Sequence, residues 1–112
     1  MMTIKWVKVD PLVMNGEPFC YGSRLTVRQL LELRRSGFGY TELIKDHPEL
    51  KRLGIAAAYT YAAANRDRYA EFFEPDGSLT GPGYTDAEAA GLPEQYRTPG
   101  VVVKAREAAA GS

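Results

Sequence analysis

Few side chains in this 112-residue sequence are placed to make or break covalent bonds. His47 is the only histidine and stands directly before Pro48, which disfavours helical geometry at its own position. It reads as the residue that ends a helix, not as a proton carrier. Cys20 is the only cysteine and falls in a short extended piece with no evident base partner, so it reads as a buried thiol. No Cys/His spacing supports a zinc site, and no glycine-rich loop follows a strand and opens a helix in the phosphate-binding manner. Asp and Glu are dispersed. The expectation is a protein without a cofactor or a metal, and not an enzyme. The side chains with a useful spacing are basic. Lys51 and Arg52 stand together at the start of one predicted helix, and Arg24, Arg28 and Arg35 lie in and around another. Their chemistry is phosphate or base-edge recognition.

Three short helices must position them, over about residues 22–65. Thr26 and Gln29 have the spacing of a capping box, and Leu25 and Leu30 that of a hydrophobic staple. Val27, Leu30, Leu31 and Arg34 then share one face, with Arg34 expected where that face reaches the edge of the core. Gly37 sits where a left-handed residue closes a helix, and Arg34 and Arg35 suit the negative end of its dipole. The second helix, about Tyr40 to Asp46, has Gly39 as N-cap, Glu42 three residues on, and Leu43 and Ile44 facing inward. The third starts near Lys51 or Arg52 and is expected to run to about Phe73. Ile55, Ala58, Tyr59 and Ala62 form its buried stripe, with Tyr69 and Phe73 roughly in phase. Gly54 in its first turns costs about 1 kcal/mol relative to Ala. Turns at Ser36–Gly39 and His47–Leu50 are too tight for a long bundle and imply steep crossings, the geometry of a tri-helical helix-turn-helix.

Ahead of the helices, Ile4 to Val9 alternates as a strand, with Ile4, Trp6 and Lys8 on one side, and ends at Asp10-Pro11. Asn15-Gly16 signals a turn and Phe19 to Tyr21 a second extended piece. Two strands alone are marginal in water, so this ribbon must pack on the helices or pair with another copy as a homodimer. Pro75-Asp76-Gly77 closes the third helix. Residues 76–112 are rich in Pro, Gly and Ala with scattered apolar positions, and read as an irregular or disordered tail.

Composition narrows the classes further. Charge is balanced, 14 basic against 14 acidic residues, so no global field advertises nucleic acid. Residues 1–75 carry 11 basic and 9 acidic side chains, and residues 76–112 carry 3 and 5. A single cysteine fits a reducing compartment, no apolar run suits a membrane helix, and the amino terminus lacks a secretion pattern. The expected location is the cytoplasm.

Several of these residues recur together in a known order. Asp10-Pro11, Gly16, Pro18, Gly22-Ser23-Arg24-Leu25 with Val27, the Gly37 turn, Glu42-Leu43-Ile44, Pro48 with Leu50, and Ala58-Tyr59 with Tyr61-Ala62 fall within a stretch of roughly residues 4 to 65. This pattern resembles the domain-of-unknown-function family numbered 433, a homeodomain-like helix-turn-helix group with VapB-type antitoxins among its members. The chain departs from the pattern at Ser23 and Gly39, where the family favours Thr and Ser or Thr. It departs again at Lys51, Leu53 and Gly54, where a Thr cap and acidic residues are usual.

The resemblance implies an antitoxin of a type II toxin-antitoxin system, binding operator DNA and neutralising a cognate toxin, plausibly a PIN-type ribonuclease. Helix three would enter the major groove by its N-terminal end, which makes Arg24, Arg28, Arg35, Lys51 and Arg52 the DNA-binding candidates. Thr60, Asn65, Arg66 and Arg68 lie later in the helix and suit solvent or a dimer contact. In the tail, Leu92, Tyr96 and Val101, Val102 and Val103 would anchor a segment that folds on the toxin. The alternative is a protein-protein interaction module whose three-helix core never touches DNA.

Overall fold

A computed structural model describes residues 6–10, 12, 16–20 and 22–103. The chain is mostly helical behind a short two-stranded ribbon. In the ribbon, β1 (Val7–Lys8) pairs antiparallel with β2 (Phe19–Cys20), with Val7 opposite Cys20 and Lys8 opposite Phe19. Ile4, Lys5, Asn15 and Tyr21 lie outside the described residues. The ribbon packs on the helices: the Val27 amide donates to the Pro18 carbonyl at 2.9 Å, and the Trp6 indole lies over Gly54. A Cβ at Gly54 would come within 3.2 Å of that ring. The helix propensity sacrificed there makes room for the indole.

The first two helices form as their caps dictate. In α1 (Val27–Arg35) the Thr26 hydroxyl accepts from the Gln29 amide at 3.0 Å, and the Gln29 carbonyl oxygen accepts from the Thr26 amide at 2.9 Å. Both halves of the box are made. At the other end the Phe38 amide donates to the Leu33 carbonyl and the Gly37 amide to the Arg34 carbonyl, with Gly37 at φ +107°. That is a complete Schellman closure, and the positive φ is why glycine stands there. In α2 (Tyr40–Asp46) Gly39 has no side chain to give, so only the Glu42 carboxylate closes back onto the Gly39 amide, at 2.9 Å. Pro48 opens one 3-10 turn through Leu50, which is fully buried.

The third helix, α3 (Arg52–Ala64), is shorter than its pattern suggests. Asn65 ends it: the Asn65 side-chain amide donates to the Tyr61 carbonyl at 2.8 Å and the backbone leaves helical geometry. Such side chains compete with the helical ladder. Tyr69 and Phe72 are then buried from a turn and a 3-10 segment, not from a continued helix, while Phe73 is half-buried.

Residues 79–103 are mostly irregular, as expected, and they pack on the helices. They form a strap across the helices. An outgoing limb (79–84) leads into a short helix, α4 (Asp86–Ala89), capped by a Thr85–Glu88 box, then a 3-10 turn at Glu94–Tyr96 and a returning limb (99–103). The limbs are tied by the Leu79 amide to the Gly100 carbonyl at 2.9 Å and the Tyr84 amide to the Val102 carbonyl at 2.8 Å. Leu79, Tyr84, Ala89, Leu92, Val101 and Val102 join the same core as α1–α3. Apolar positions this sparse suffice because nearly every one is spent on the core. Residues 104–112 lie outside the described residues.

Candidate interaction surfaces

The basic pair at the start of α3 is exposed, but the helix behind it is not. Lys51 has φ +63° and ψ 156°, a conformation that is essentially glycine's own, and it offers no side-chain cap. Arg52 donates to the Glu88 carbonyl at 3.3 Å, and the Thr41 hydroxyl to the Glu88 carboxylate at 3.0 Å, so α4 lies across the α2–α3 corner. From Leu53 through Ala63 no residue of α3 is exposed. Ribbon, α1, α2 and strap all pack on this helix. Replacing Lys51 with glycine is expected to raise stability by about 1 kcal/mol, since strain of this kind costs roughly 1–3 kcal/mol and glycine returns part of the gain as backbone entropy. Urea unfolding midpoints measure it, and an unchanged or lower midpoint would refute the strain.

The α1 arginines are occupied in different ways. Arg24 is exposed. Arg28 forms an ion pair with Glu71 at 2.6 Å, donates to the Arg68 carbonyl at 2.8 Å, and lies over the Tyr69 and Phe72 rings. Arg35 stacks on Phe72 with its guanidinium carbon 4.5 Å from the ring centre. Further along, the Thr60 hydroxyl donates to the Ala56 carbonyl, Arg66 donates to the Gly77 carbonyl while stacking on Phe73, and Arg68 lies 3.7 Å from the Glu17 carboxylate. The candidates thus have different partners: Arg28 and Arg35 contact residues 68–72, Arg52 contacts the strap, and Arg24 and Lys51 are exposed.

The proposed toxin anchors point inward. Leu92, Val101 and Val102 are buried, and Tyr96 and Val103 are half-buried against the same core, so in this structure none forms a free apolar surface. The Val101 carbonyl accepts from a residue that the sequence pattern placed at the core's edge. Arg34 is buried, 1% exposed, and has no carboxylate partner among the described residues. Its guanidinium donates to the Gly81 and Leu79 carbonyls, each at 3.3 Å, and to the Val101 carbonyl, while its plane covers Tyr59 at 4.6 Å. Beside it Tyr84 stacks on Tyr40 at 4.9 Å, meets Tyr59 edge-on at 6.3 Å, and donates its hydroxyl hydrogen to the Arg52 carbonyl. Arg34 could have been suspected from its position seven residues after Val27 on an apolar face. Tyr84 lies in a Gly-Pro-rich stretch with no periodicity to flag it.

Burial sets the electrostatics here. It lowers the Arg34 guanidinium from its usual value, an effect that the neighbouring Tyr59 and Tyr84 oppose. It pushes the Tyr59 phenol up to about 12, against the pull of Arg34, and raises Tyr84 as well. A phenol whose folded pKa exceeds its unfolded value near 10 holds its proton more tightly in the fold. Its contribution is complete below about pH 10 and is lost as pH climbs through 12. Melting temperature is accordingly expected to fall steeply over that interval, in step with tyrosinate absorbance. A flat profile across it would contradict the burial of these phenols.

The remaining reactive groups are quiet. Burial pushes the Cys20 thiol up to about 12, which keeps it protonated and inert. His47 lies 3.6 Å from the Glu49 carboxylate. Among the described residues no group of His, Cys, Asp and Glu could hold a metal ion, and no helix is long and apolar enough to cross a membrane.

The family model for proteins of unknown function DUF433 matches residues 7–62, from the first strand to the third helix, and the chain belongs to that family. No curated protein and no solved structure matches the chain.

Proposed function

We propose that this DUF433 chain is a non-catalytic protein-binding module of the antitoxin kind, acting on a cognate toxin and not primarily on DNA. One observation carries the choice. The helix that a helix-turn-helix would lay in the major groove is buried from Gly54 to Tyr59, and Leu53, Thr60, Tyr61 and Ala63 are only partly open. A recognition helix must present side chains to base edges, and this one is the centre of a core. The balance of 14 basic and 14 acidic residues weighs the same way, because non-specific DNA affinity comes from neutralising phosphates. The toxin implied by the antitoxin likeness is a PIN-type ribonuclease. The test is to mix the purified chain with the product of the adjacent gene and measure co-elution and inhibition of RNA cleavage. Failure of both removes the protein-binding reading.

A second reading has one observation in its favour. Lys51 keeps a strained backbone at an exposed position, and such strain gathers at functional sites. Lys51 and Arg52 could then touch phosphates from the tip of α3 while its body stays covered. Under that reading, changing both to Ala reduces the slope of log affinity against log salt for the gene's upstream DNA by up to about two, near 0.9 per phosphate contact. A titration at several salt concentrations reads this directly, and an identical slope takes the pair out of any DNA interface.

A further inference from the structure

The strongest contacts of the strap divide the chain into two parts. Arg34, Tyr40, Arg52 and Tyr59 do the gripping, and all lie inside the span matched by the family model, residues 7–62. What they grip lies wholly beyond the turn at 74–78. That turn is a tight neck: the Glu74 amide donates to the Ser78 carbonyl at 2.8 Å, and Phe73 bridges antiparallel to Leu79.

The manner of the grip is that of a receptor for extended chain. On the strap Arg34 holds three main-chain carbonyls, so it reads the path of a backbone and leaves most of the strap's sequence free. Two positions are exceptions. At Gly81 a Cβ would fall 2.1 Å from the Arg34 carbonyl oxygen, so the passing chain must have glycine where it crosses α1. Three residues later Tyr84 fills the space between Tyr40 and Tyr59, and its hydroxyl reaches the Arg52 carbonyl. Glycine followed at the third position by tyrosine is the side-chain code of this face.

We propose that the Arg34–Tyr40–Tyr59 face is a peptide-binding groove, and that the strap is its tethered ligand, displaced by a partner's extended segment that carries Gly-x-x-Tyr. This deepens the protein-binding reading and rests on it: the groove is where the partner enters. Tethering gives the strap an effective concentration on the order of millimolar, so a free segment of equal strength does not invade the intact chain. Loosening the strap opens the site.

The experiment uses the full chain with a protease site replacing Pro75–Gly77, cut in the folded state, and a labelled peptide spanning residues 78–103 as the probe. The cut chain is expected to take up the peptide while retaining its helical circular dichroism. A peptide with Tyr84→Ala is expected to bind about tenfold or more weakly, since an aromatic anchor of this kind dominates such an interface. The uncut chain takes up neither peptide. Loss of helical signal as the cut fragment leaves, or failure of the peptide to enter, overturns the groove. The adjacent gene's product separates the two levels. If it binds the wild-type chain and the peptide does not compete for the cut one, the groove is wrong and the protein-binding reading stands. If the peptide exchanges but that product binds neither form, the groove stands and the toxin does not.

Discussion

An Arg34→Ala chain should be less stable than the wild type by about 3–5 kcal/mol. The side chain is buried and serves three carbonyls that have few alternatives. A buried acceptor left without a donor costs about 1–3 kcal/mol, and truncation also opens a cavity and removes the cation from the Tyr59 face. Arg34→Lys should recover little, because one ammonium cannot span three carbonyls held by a planar fork. Urea unfolding gives the number directly, and in a heat melt the shift is expected to be roughly 15–25 °C for a domain of this size. The contrast is Arg28. Its 2.6 Å pair with Glu71 looks stronger on paper, but both side chains are well solvated, at 31% and 54% exposure, and such pairs are worth at most about 1 kcal/mol. An Arg34→Ala variant within 1 kcal/mol of wild type, or one no worse than Arg28→Ala, would refute the assignment of Arg34 as the fastening of the strap.

Gly81→Ala should cost about 3 kcal/mol and act through the same fastening from the other side. The added methyl meets the backbone of Arg34, with the carbonyl oxygen 2.1 Å and the carbonyl carbon 2.7 Å away, and neither can turn aside as a side-chain tip could. The residue also sits at φ +100°, where a Cβ is strained whatever the space. Overpacking of this kind costs about 1–3 kcal/mol and the backbone conformation adds to it. Relief requires the outgoing limb to lift. The variant should therefore lose protection of the Tyr84 amide in hydrogen exchange before it loses that of α1. Equal loss in both places would mean that the strap and helices open as one unit. Gly37→Ala makes a useful control: its φ is just as positive, yet nothing lies within 4 Å, so only the conformational cost of roughly 1 kcal/mol is expected.

The helices were legible because local chemistry specifies them. Thr26 with Gln29, Gly37 after two arginines, and Pro48 after His47 each name an element end by hydrogen bonds or sterics within a few residues. The length of α3 was not, because an Ala-rich run continues the helical pattern until Asn65 intercepts the Tyr61 carbonyl, a contest whose outcome depends on Tyr69 and Phe72 being wanted in the core from another direction. The strap was the least legible. Leu79, Tyr84, Leu92 and Val102 follow no period, and what holds them is the backbone of one limb against the other and the guanidinium of a residue some fifty to seventy positions earlier. Arg34 itself was read as a rim residue because a cation on an apolar face usually is one. Its true surroundings are three carbonyls that no sequence pattern announces. The candidate surface changed accordingly. Lys51 and Arg52 were found where expected, at the tip of α3, but the body of that helix is covered by segments whose docking could not be read from composition.

The bond from Arg34 to the Val101 carbonyl spans 67 residues. During synthesis, α1 leaves the ribosome long before its last acceptor has been made, since translation proceeds at about 5–20 residues per second and further chain is still held in the exit tunnel. Through that interval the guanidinium stays in water, because moving it inside without its carbonyls is too expensive. The helices are thus born with a wet, charged seam. The drying of that seam waits until the returning limb, 67 residues after Arg34, has been made. A nascent chain that stalls short of Val101 carries an open seam and should be marked for proteolysis, so closure of the core is tied to synthesis of the returning limb.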